Sequence, residues 1–114
     1  MQHASLSAER WSALTMEQQI LSVANEMNRA SKLFSLEDRG RLANCYERIL
    51  RLVDLTVETG TKPTFRRELL RWRDLVAALY LDPNPESAQH RVAFKALLQL
   101  NPVAARQIQL VLGG

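Results

Sequence analysis

The chain of 114 residues is the size of one domain, and with 46% hydrophobic and 24% charged residues its composition excludes wholesale disorder and a bilayer-spanning design. A single cysteine, Cys45, excludes an intramolecular disulfide and any zinc site built on paired thiolates, and fits a reducing compartment. Fifteen Lys and Arg against twelve Asp and Glu leave a net +3, an excess that permits an anionic partner without requiring one.

Residues 1–14 are expected to form an arm or short helix. Ser7 is placed to cap a turn that brings Trp11 and Leu14 down onto the remainder. Glu9 and Arg10 stand where a secretory signal would need an apolar run, so a cytoplasmic location without membrane contact is expected. Residues 15–114 are expected to form one helical-bundle domain, with three long helices over 15–81 and two shorter ones over 84–112. From Thr15, the residues Met16, Ile20, Val23, Met27, Ala30 and Phe34 recur at intervals of four and three, the spacing of one buried helix face. Thr15 and Gln18 form a capping-box pair at its start. Ser35 and Asp38 repeat that arrangement, so the chain is expected to reverse near Phe34 with almost no loop and to run antiparallel.

The second long helix carries Leu42, Cys45, Tyr46, Ile49, Leu52, Val53 and Val57 on a broad apolar face and stops at Gly60, the residue suited to a helix end. The first two helices are expected to run about 20 to 25 residues each. In the third, capped by Thr64, Phe65, Leu69, Trp72, Val76 and Leu79 repeat at four and three. Asp82-Pro83-Asn84-Pro85 breaks it, because proline lacks the helical donor and displaces its predecessor from the α region. Asn84-Pro85 and Asn101-Pro102 then read as two helix openings, with Asn as N-cap and Pro at the first helical position. No stretch alternates like a strand. The expected fold is all-α: a compact antiparallel helical bundle of three long helices plus two shorter C-terminal helices.

Chemistry is sparse in this pattern. Cys45 sits on an apolar face and reads as a buried hydrophobe with an inert thiol. Glu86 and His90, four apart, share a helix face and supply two candidate metal ligands or an acid/base pair, yet no second Glu-x-x-His follows; a surface ion pair is the plainer expectation. The Arg spacing before His that marks ribonuclease toxins of the HEPN class is missing, since Pro83, Asn84 and Pro85 occupy those positions. Gly-rich phosphate loops are also missing, and no cofactor is implied. Gly113-Gly114 matches the tail of ubiquitin-like carriers, but those are β-grasp folds and the pair reads better as a helix stop.

Two binding readings remain. Apolar residues lie outside the main seam, Leu70, Ala77 and Tyr80 on the third helix and Leu110 near the C-terminus. They are candidates for an interface with a protein partner or a second copy. The segment from Phe65 to Arg73 also carries four arginines, Arg66, Arg67, Arg71 and Arg73, candidates for phosphate contact. Glu68 and Asp74 lie among them, so a solvated face is favoured over a nucleic-acid strip. The sequence therefore favours a non-catalytic interaction or assembly module, with a homodimer as the expected assembly, a nucleic-acid-binding accessory protein as the alternative and an enzyme of unknown type below both.

Overall fold

A reciprocal cap opens the bundle. The Thr15 hydroxyl accepts from the Gln18 N–H at 3.1 Å, and the Gln18 side chain accepts from the Thr15 N–H at 2.8 Å, a pair of bonds whose loss costs about 1 kcal/mol. The computed structural model describes residues 8–59, 62–101 and 106. Within them the helices are α1 (Ala8–Ser12), α2 (Met16–Ala30), α3 (Arg39–Glu58), α4 (Pro63–Leu81) and α5 (Ser87–Leu100), with a 3-10 turn at Leu36–Asp38 between α2 and α3. Among the described residues there is no strand. The molecule is all-α.

The core follows the apolar periodicity. Ile20, Val23 and Met27 of α2 pack with Leu42, Tyr46, Ile49 and Val53 of α3, then with Leu69, Trp72 and Val76 of α4 and Ala93 and Leu97 of α5, all buried. Phe65 and Val57 are only partly buried at its margin. The order is a chain of neighbours: α3 packs against both α2 and α4, and α5 lies against α4 and reaches across to α2.

Several boundaries differ from the sequence expectation. The first long helix has 15 residues and stops at Ala30, because Ser31, Lys32 and Leu33 turn their N–H groups back to Met27, Asn28, Arg29 and Ala30 in tight turns. Ser35 is an N-cap in backbone conformation, but its hydroxyl donates to the Asp38 carboxylate and the 3-10 turn intervenes before α3. At α4 the cap is Lys62 and Pro63 opens the helix, so Thr64 lies inside it. Asn84 does not cap α5. Its side chain accepts from the Arg39 guanidinium, which also holds the Pro83 carbonyl, and its N–H donates to Asp82; α5 therefore begins two residues later, with Glu86 as cap. Ser7, the Gly60 stop, the helix opened by Asn101-Pro102, Leu110 and the Gly113-Gly114 pair lie outside the described residues.

Two indole N–H groups join distant elements. Trp72 of α4 donates to the Ala93 carbonyl of α5 at 2.7 Å. Trp11 of α1 donates to the Thr56 hydroxyl of α3 at 2.9 Å, and that hydroxyl donates in turn to the Leu52 carbonyl. Each tryptophan is 3% exposed. Large apolar side chains buried this way need a partner for their single polar atom, and both have one.

Two substitutions check this packing by chemical denaturation. Trp72→Ala removes a filled volume and the α4–α5 hydrogen bond and should cost about 3 to 5 kcal/mol; near wild-type stability would take Trp72 out of the core. Gly40 lies in the first turn of α3 with nothing within 4 Å of an added Cβ, so Gly40→Ala should stabilise by about 0.5 kcal/mol through the unfolded chain.

Candidate functional site

His90 occupies the centre of the polar chemistry, but in the core. Its ring is 1% exposed, which overturns the surface ion pair expected with Glu86. The helical spacing His90, Ala93, Leu97 is again three and four, so the α5 seam includes the histidine. Nε2 lies 2.8 Å from the Met27 carbonyl of α2, and Nδ1 lies 2.8 Å from the Tyr46 hydroxyl of α3. A carbonyl only accepts, so Nε2 carries the proton and Nδ1 accepts from Tyr46. Phe34, Phe94 and Tyr46 close around the ring at centroid distances of 5.3 to 6.4 Å. Burial holds the His90 pKa below its ordinary value, opposed by the bond to Met27, and pushes the Tyr46 phenol up. Both ring nitrogens are committed to protein atoms, while Glu86 is exposed at the cap of α5. The pair does not assemble into a ligand set or an acid/base couple.

Cys45 is likewise structural in its setting. It is buried, it receives a hydrogen bond from Arg48 Nη2 at 3.2 Å, and burial raises its pKa, the opposite of an activated thiolate. Arg48 also pairs with Glu26 at 3.2 Å across the α2–α3 seam. Among the described residues no three of His, Cys, Asp and Glu gather as a metal site, and no helix is long and apolar enough to cross a membrane.

The surface features that stand out belong to α4 and α5. Between them runs a groove of about 380 Å³ lined by Leu75, Ala78, Leu79, Asp82, Gln89, Val92 and Ala93. Leu75 is 46% and Val92 67% exposed. Of the residues expected at an interface, Leu70 is exposed, Ala77 is partly buried, and Tyr80 is exposed with its hydroxyl donating to Glu47 at 3.1 Å. These three sit toward the α3 side and the back of α4, away from the groove, so the sequence-derived stripe and the groove are different surfaces. What the sequence reading missed is the pairing of Leu75 with Val92, which appears only once two helices are placed side by side.

The four arginines separate. Arg73 binds Asp54 of α3 through Nε at 2.7 Å and Nη2 at 3.3 Å, which withdraws it from any outward strip. Arg66, Arg67 and Arg71 are exposed. Among the described residues none of them forms an ion pair, although Glu68 and Asp74 lie among them in sequence. A second depression on α3, lined by Glu47, Leu50, Arg51, Asp54, Leu55 and Glu58, is polar, and Tyr80 and Arg73 already occupy two of its carboxylates. No family model matches the chain, and comparison with the curated proteins and with the solved structures gives no match either.

The His90 geometry fixes a sign for pH dependence. A folded-state pKa below the unfolded value of about 6.5 means the unfolded chain takes up the proton first. The stability that His90 contributes is thus complete above that value and is lost as pH falls from there toward the depressed folded pKa. Urea titrations at pH 7.5, 6.5, 5.5 and 5.0 should show this decline. His90→Gln should be weaker at pH 7.5 and flatter over the same range; an equally steep decline in the variant would remove His90 as its cause.

Proposed function

We propose that the protein is a helical interaction module whose docking surface is the outer face of α4 and α5 and whose function is to bind a protein partner, without catalysis of its own. One observation carries this reading: the groove between α4 and α5 leaves Leu75 and Val92 open to solvent, side by side across two helices, whereas the polar groups of the interior are satisfied by one another. Adjacent exposed apolar side chains in a concave setting are the usual mark of a docking site. Leu81, 76% exposed at the end of α4, extends the apolar character of that helix.

A second reading keeps the nucleic-acid alternative, favoured by Arg66, Arg67 and Arg71, which are exposed and form no ion pair among the described residues. It ranks lower because the fourth arginine is spent on Asp54 and because, among the described residues of α4, the neighbouring aromatics are not exposed as stacking platforms. Trp72 is buried and Phe65 partly so.

The double variant Leu75→Glu, Val92→Glu tests the first reading. Both positions are open, so the cost in stability should stay within about 0.5 kcal/mol. Affinity enrichment from the source cells with the wild-type full chain should recover partners that this folded variant does not. Identical recoveries would make the groove ordinary surface. A log affinity for duplex DNA that falls with log salt at a slope of about −3 would instead favour the arginines.

A further inference from the structure

The groove is the middle of a longer stripe. On α4 the residues Arg67, Arg71, Leu75, Ala78 and Asp82 follow one another at intervals of four, four, three and four, so they lie along a single edge of the helix. Leu75, Ala78 and Asp82 line the groove, and Arg67 and Arg71 continue the same edge by two turns toward the helix start. On α5, Gln89 and Val92 form the opposite wall, and the exposed Lys95 lies one turn beyond Val92. The floor is therefore apolar, and the end toward the start of α4 gathers three cations, Arg67, Arg71 and Lys95, against one exposed carboxylate of the same edge, Glu68, three residues before Arg71 and seven before Leu75.

Charge is distributed to match. From Lys62 to Asn101 seven Lys and Arg stand against four Asp and Glu, a net of +3, while from Ala8 to Thr59 seven stand against eight, a net of −1. The two sums cover different stretches of the chain, and the positive one belongs to the helices that form the groove. Arg67, Arg71 and Lys95 have no ion pair among the described residues. Arg39, Arg48 and Arg73 in contrast hold other helices or turns together.

From these placements we propose that the α4–α5 groove seats an amphipathic partner helix whose apolar face covers Leu75, Ala78 and Val92 and whose acidic residues meet Arg67 and Arg71. This rests on the interaction-module reading and adds the chemistry of the partner. From Arg67 to Asp82 the stripe is about 22 Å long, the length of about 15 helical residues. An apolar floor with cations at one end selects an acidic helix over a basic one, and Asp82 at the other end opposes the reversed placement.

The probe is a fluorescein-labelled peptide of about 15 residues with Leu in an i, i+3, i+4 stripe and Glu on the flank at one end, compared with a twin carrying Lys at those positions. Anisotropy titrations use the full wild-type chain at low salt, with circular dichroism confirming the fold of each variant. The Glu peptide should bind at least about tenfold tighter than the Lys twin. Leu75→Glu with Val92→Glu should abolish binding of the Glu peptide. Arg67→Glu with Arg71→Glu should reverse the preference between the twins. Equal binding of the two peptides, or none, overturns the proposal. It is also overturned if light scattering gives a mass near twice 13.0 kDa that Val92→Glu halves, since a second copy would then fill the groove. Duplex DNA binding that is lost in the arginine variant and kept in the leucine and valine variant overturns it as well. Failure of the peptides alongside partners still lost from the Leu75→Glu, Val92→Glu enrichment would discard the acidic helix and leave the module reading standing.

Discussion

A buried imidazole must have both nitrogens satisfied, and in this bundle the protein satisfies them from two other helices. His90 of α5 gives its proton to the last turn of α2 at Met27 and takes one from Tyr46 of α3. Three helices are thereby fixed in register through one side chain, because displacing any of them by a single residue would strand a polar atom in an aromatic surround at a cost of about 1 to 3 kcal/mol. Apolar packing tolerates small slides; this pair of bonds does not. Trp72 reinforces the same outcome from α4, since its N–H reaches the α5 backbone at Ala93, one turn beyond His90.

Once the interior is fixed in this way, the cations divide by role. Arg48 bridges α2 and α3 with both partners mostly shielded, so removing either charge would leave the other poorly solvated. Arg73 makes a forked contact to α3. Arg39 holds the turn between α4 and α5 against the start of α3. Among the described residues the outward arginines of α4, Arg66, Arg67 and Arg71, bridge no other element. That contrast gives their edge of the molecule a chemical character different from the rest.

The sequence disclosed most of the helix faces because a seam with period 3.6 leaves a plain trace: Ile20, Val23, Met27 and Ala30, or Leu69, Trp72, Val76 and Leu79, are spaced and buried accordingly. Thr15 and Gln18 were equally readable, since a capping box is a local interaction. Asn84-Pro85 misled for the converse reason. Its local preference for opening a helix yields to Arg39, more than forty residues away in sequence, a contact no local pattern records. His90 was overlooked in the core because residue type argued for the surface while its position, three before Ala93 and seven before Leu97, argued for burial. The groove was illegible in principle: Leu75 and Val92 are each unremarkable on their own helix, and the site exists only in their juxtaposition.

The attachment of α1 has its own consequence. Five residues are far too few to hold a helix in water, so Ala8–Ser12 keeps its shape only while Trp11 is docked, its indole on Thr56 and its carbonyl accepting from Gln19. The cap of α2 is complete within Thr15 and Gln18 and does not depend on those contacts. Residues 8–14 can therefore open as a cooperative unit, at a lower free energy than global unfolding. Such an opening exposes one end of α3 and leaves the helices around His90 undisturbed. In hydrogen exchange the molecule would then have two tiers, with the indole proton of Trp11 exchanging on the fast one and that of Trp72 on the slow.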